Sequence, residues 1–74
     1  MKMIVEFIIK NNSRPIISLT VDKDASDKIQ TDFALFMKSS SPTPDLYFKK
    51  YTQEKMEVLI DLRTIAAIMF VESK

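Results

Sequence analysis

Met3-Ile4-Val5-Glu6-Phe7-Ile8-Ile9 is the stretch that decides the fold. It is rich in β-branched and aromatic side chains, which pack well on a pleated surface, so it reads as a β-strand. Alternation puts Met3, Val5, Phe7 and Ile9 on one face and Ile4, Glu6 and Ile8 on the other. One face is wholly apolar and the other is apolar except for Glu6. Such a strand belongs in the centre of a sheet or beneath a partner. The rest of the chain must therefore supply its neighbours and its cover.

A turn cluster follows, Lys10-Asn11-Asn12-Ser13-Arg14-Pro15. Asparagine tolerates positive φ, and Pro15 cannot sit in a central ladder. Residues 16–21 then read as a second strand, with Ile17, Leu19 and Val21 alternating against Ser18 and Thr20. The two strands make an antiparallel hairpin. The chain has no glycine, so loops longer than a tight two-residue turn are expected.

Residues 24–38 carry the helical pattern. Asp22, Asp24 and Ser26 are candidate N-caps, and acids in the first turn suit the positive end of the helix dipole. Ala25, Ile29, Phe33, Phe36 and Met37 form one apolar stripe. Lys38 sits at the negative end, and Pro42 and Pro44 stop the helix from continuing. Phe33 and Phe36 are expected to pack on the sheet against Val5, Phe7, Leu19 and Ile60. On that basis Phe33→Ala would cost about 3–5 kcal/mol.

Residues 46–51 read as a third strand, 52–55 as a turn, and 56–62 as a fourth strand with Met56, Val58, Ile60 and Leu62 on one face. A short turn near 61–65 leads to a fifth strand from about residue 66 to residue 71. Leu62, Ile65, Ala66 and Met69 also fit a helical spacing, so a C-terminal helix is the alternative. The pattern predicts one α+β domain over residues 1–74: a single amphipathic helix packed on a mostly antiparallel sheet, in the order β-β-α-β-β-β. One helix covers only part of the sheet, and apolar positions on the first and last strands need a further cover.

Composition narrows the function. The 74 residues contain no histidine, cysteine, glycine or tryptophan. The groups most used for acid–base catalysis, nucleophilic attack and transition-metal binding are thereby scarce. No nucleophile–base pair can be assembled, and the expectation is a protein that is not an enzyme and uses no cofactor or metal. Asp22, Asp24 and Ser26 have the start of a calcium-loop spacing, but Asp27 stands where the sharp turn needs glycine and Phe33 where the bidentate Glu belongs. Ser41-Pro42 and Thr43-Pro44 read as an ordinary loop. The eleven basic and ten acidic residues give a net charge of +1, no electrostatic case for nucleic acid or a membrane as the main partner. No segment has the length of a membrane span or the pattern of a signal peptide. A cysteine-free chain fits a reducing compartment, and the cytoplasm is the expected location.

A domain this small, with no disulfide or metal to staple it, often gains stability by associating with itself. The first functional expectation is a non-enzymatic interaction module that self-associates, most simply as a dimer, and that also meets a protein partner the sequence does not identify. The second is a single-stranded nucleic-acid module using Tyr47, Lys49, Lys50 and Tyr51, where aromatics and bases interleave. Register decides between arrangements of that segment. With an odd loop, Lys49 faces Glu57 and Phe48 joins the core; with an even loop, Lys50 faces Glu57 and the tyrosines turn inward. Either way an acid weakens the local phosphate field.

Overall fold

In this computed structural model residues 2–12 and 15–73 are described; Ser13 and Arg14 of the anticipated turn lie outside the described residues. The chain runs β1 (Lys2–Ile9), β2 (Pro15–Asp22), α1 (Lys23–Lys38), a single-turn helix α2 (Pro44–Tyr47), β3 (Phe48–Gln53), β4 (Met56–Asp61), a 3-10 turn (Leu62–Thr64) and β5 (Ile65–Ser73). The expected α+β class and strand order hold, and the C-terminal segment is a strand. The strands divide between a three-stranded antiparallel sheet of order β2-β1-β5 and a separate β3-β4 hairpin.

β1 takes the central place its two apolar faces demand. It pairs with β2 from Lys2↔Asp22 to Phe7↔Ile17. It pairs with β5 from Lys2↔Ser73 to Ile8↔Ala67, with a register shift before Ile9↔Ile65. The helical spacing of Leu62 and Ile65 is spent on the 3-10 turn, where the Asp61 carboxylate accepts from the Arg63 backbone N–H. Beyond it, the run of β-formers pairs with β1. Val5 and Phe7 are completely buried on the inner face. Leu19, Ile29, Ile60 and Leu62 close over them, and Phe33, Phe36, Ile68 and Phe70 lie half-buried against this core.

α1 starts where its cap permits. The Asp22 side chain accepts from the Ala25 backbone N–H at 2.8 Å. Its buried line is Ser26, Ile29 and Asp32. Phe33 and Phe36 flank that line with rings 6.4 Å apart. The expected stripe is thus corrected at one end: Met37, at the rim of the stripe in the last turn, is 66% exposed. The loss foreseen for Phe33→Ala belongs to a fully buried ring, and that ring is Phe7.

Three further expectations are corrected. Pro44, at the first position of α2, carries Leu46 and Tyr47 into a helical turn and not into the third strand. The Leu46 backbone N–H donates to the Thr43 carbonyl at 2.8 Å, so β3 begins only at Phe48. Leu62 leaves the fourth strand for the 3-10 turn. The loop between β3 and β4 is the tight two-residue Glu54-Lys55, with Gln53↔Met56 as its closing pair. Glu54 takes φ 52° there, a conformation that costs a non-glycine residue roughly 1–2 kcal/mol. Asn11 takes φ 68° in the first turn, as its residue type allows. The hairpin is tied to the sheet where the Thr20 backbone N–H donates to Gln53 Oε1 at 2.8 Å.

Candidate interaction surfaces

The even loop settles the orientation of the aromatic and basic segment. Tyr51 pairs with Val58 across the hairpin and turns inward. It is 6% exposed, with its ring stacked 6.3 Å from Phe7. Its hydroxyl donates to Asp32 Oδ2 at 3.0 Å. Lys28 Nζ donates to the same oxygen at 2.9 Å, and Lys49 Nζ stands 3.9 Å from Asp32 Oδ1. One nearly buried carboxylate therefore fastens the helix to the hairpin.

Of the four residues singled out in the sequence, Lys49 and Tyr51 meet at Asp32. Lys50 points the other way and is exposed; its cross-strand neighbour is Leu59, while Glu57 stands opposite Thr52. Tyr47 lies in α2, its ring covered by the Arg63 guanidinium at 3.9 Å and touched edge-on by Phe48 at 4.7 Å. The four share no surface on which bases could stack in succession. Asp32 was not singled out by sequence reading. Its signal is its place three residues after Ile29 and beside Phe33, inside the apolar stripe.

Burial, reinforced by the Asp32 carboxylate, pushes the Tyr51 phenol well above its usual range near 10. The phenol keeps its proton more tightly in the folded chain than in the unfolded one. Stability from this group is therefore complete below pH 10 and falls as pH rises beyond it, because only the unfolded chain readily releases the proton. Urea midpoints measured from pH 8 to pH 11 should fall more steeply for the native chain than for Tyr51→Phe. Parallel curves would show that the phenol does not titrate differently in the two states. No buried side-chain polar atom lacks a partner among the described residues. The Asp32 cluster is thus a satisfied structural node that ties the helix to the hairpin. No set of three or more His, Cys, Asp or Glu residues is placed to hold a metal among the described residues.

Two apolar regions formed by paired strands stand out on the surface of the described residues. The first is the outer face of the three-stranded sheet. Register aligns Ile4 with Val71, Glu6 with Met69 and Ile8 with Ala67. Ile4 and Ile8 are half-exposed, Met69 is 39% exposed and Val71 48%. On the opposite face of the same strand Val5 and Phe7 are fully buried. The second is the outer side of the hairpin, where Leu59 is 78% and Phe48 56% exposed beside an open cavity of about 390 Å3. There Lys50 and Asp61 border the cavity. Arg63 lies 5.3 Å over the Phe48 ring while its Nη2 pairs with Asp61 Oδ2 at 2.7 Å. That ion pair, whose hydrogen bond holds the Asp61 carboxyl below its usual range, breaks the apolar character of the region. The sheet face carries Glu6 between Ile4 and Ile8, and its β2 side is polar, with Ser18 opposite Glu6, Thr20 opposite Ile4 and Asp22 opposite Lys2.

No helix among the described residues is long and apolar enough to cross a membrane. Comparison with protein-family models, with curated proteins and with solved structures found no match.

Proposed function

We propose that this chain is a small non-enzymatic interaction module that acts by self-association, most simply as a dimer, in the cytoplasm. The observation that carries this is the open outer face of the three-stranded sheet, with Ile4, Ile8, Met69 and Val71 on paired strands. Exposed apolar side chains grouped on neighbouring strands in this way mark an interaction site. A second copy fits such a patch, since about a two-fold axis the same surface serves both partners. A 74-residue chain with no cysteine to form a disulfide gains stability from such pairing. The cysteine-free sequence also suits a reducing compartment.

Sedimentation or light scattering at micromolar concentration should give a mass above the 8.6 kDa of one chain. Met69→Lys puts a charge on an exposed position of that face and should weaken association about tenfold or more, since burying a Met side chain is worth about 1.5–3 kcal/mol. Circular dichroism of the variant should stay that of the folded chain. A native chain that remains a monomer at high concentration overturns the proposal.

A further inference from the structure

Resting on that self-association, we propose that it is linked to protons through Glu6: when a second copy covers the outer face of the sheet, the Glu6 carboxyl takes up a proton, so association tightens as pH falls from about 7 to about 5.

Glu6 sits in the middle of the face that association would bury. It lies on the central strand β1, between Ile4 and Ile8. Met69 stands opposite it on β5 and Ser18 on β2. It is already half-buried, and it takes part in no ion pair among the described residues. The charged groups that share its face stand at the far end of the sheet, where Lys2 pairs with Asp22. Lys2 is four residues away along β1, about 13 Å. Lys10 is as far along the chain in the other direction, past a register shift, in the turn where its backbone N–H donates to the Thr64 carbonyl. β5 brings no ionisable group to this face, because Glu72 falls opposite Met3 on the inner one.

Covering the face strips water from the Glu6 carboxylate, and a charged group so stripped must gain a counter-ion or a proton. About a two-fold axis through the middle of the patch, a second copy brings to Glu6 its own Ile4, Ile8, Met69 and Glu6. Loss of water and like charge then both favour the neutral carboxyl. An associated state that binds more protons than the separate chains is favoured as pH falls, and the advantage is lost as pH rises through the range in which the covered carboxyl titrates. The chain has no histidine, so no imidazole contributes a charge change in this range.

Sedimentation of the native chain at pH 5, 6 and 7, at constant ionic strength, tests the linkage. The association constant should rise about tenfold or more towards pH 5, one decade meaning a proton held ten times more tightly in the associated state. Glu6→Gln keeps the size of the side chain and removes its charge. It should associate more tightly than the native chain at pH 7 and lose the pH dependence. The comparison at pH 7 alone reads the effect without relying on the fold at pH 5. Lys2→Ala, at an exposed position, should leave the pH dependence in place. Weakening of association by Glu6→Gln and by Lys2→Ala alike would show that a lysine of the second copy answers Glu6, and would overturn the proton linkage while leaving self-association standing. An association constant that does not change with pH, or that changes equally in Glu6→Gln, has the same consequence. A native chain that is monomeric at every pH overturns self-association itself, and the linkage with it.

Discussion

Phe7→Ala is expected to unfold the protein, or leave it so close to unfolding that no cooperative thermal transition survives at 25 °C. Phe7 is completely buried in the middle of the central strand. Its ring stacks on Tyr51 at 6.3 Å and so joins the sheet to the hairpin. Truncating a buried Phe removes its transfer free energy and leaves a cavity, together about 3–5 kcal/mol. A chain of this length has roughly 4–11 kcal/mol in total, at 0.05–0.15 kcal/mol per residue. The loss is therefore comparable with the whole. Urea titration followed by circular dichroism measures it. A loss under about 1 kcal/mol would mean that the inner face of β1 repacks freely and is not the centre of the core.

Asp32→Ala should be the most damaging substitution of a polar residue, at about 2–3 kcal/mol. Removal orphans the Tyr51 hydroxyl, which donates to this carboxylate from a buried position. It also leaves Lys49, whose side chain is 20% exposed, without its nearby acid. An unsatisfied buried donor costs about 1–3 kcal/mol, and the half-desolvated lysine adds to that. Lys28 contributes little, because its side chain is 67% exposed and water replaces the ion pair. Asp32→Asn keeps an acceptor for the hydroxyl and should lose less. Combined with Tyr51→Phe, Asp32→Ala should lose less than the sum of the two single losses, by about 0.5–3 kcal/mol. Additive losses would show that the two side chains do not share one interaction.

Strand β1 was legible because it is an unbroken run of β-branched and aromatic residues, wholly apolar on one face and interrupted only by Glu6 on the other. α1 was legible from the Asp22 cap and the spacing of Ile29, Phe33 and Phe36. The last segment was ambiguous for a physical reason: Leu62 and Ile65 do sit on a helical turn, one that stops after Thr64. The hairpin was harder. Its register hangs on loop length, and the two-residue turn exists because Glu54 accepts a left-handed conformation more typical of glycine or asparagine. That one backbone angle turns Tyr51 from a possible surface aromatic into a core residue. Asp32 was hidden because an acid on a helix normally faces water, and its partner on the hairpin is nineteen positions away. No local pattern in the sequence encodes that meeting. The openness of β5 was partly legible, since one helix cannot cover all the apolar positions of the strands.

Lys2 and Ser73 stand opposite one another at the same end of the β1–β5 ladder. Whatever is attached to the two ends of the described chain therefore leaves from one corner of the sheet. Tension applied between those attachments would act across the ladder and not along it. Successive hydrogen-bonded pairs would bear the load one after another, like a zipper drawn from its open end, where strands pulled lengthwise would share it among all their bonds. The thermodynamic core at Val5 and Phe7 lies several pairs in from that corner. The fold thus joins a firmly packed interior to a mechanically yielding seam, and that seam runs along the inner side of the strand whose outer edge is open.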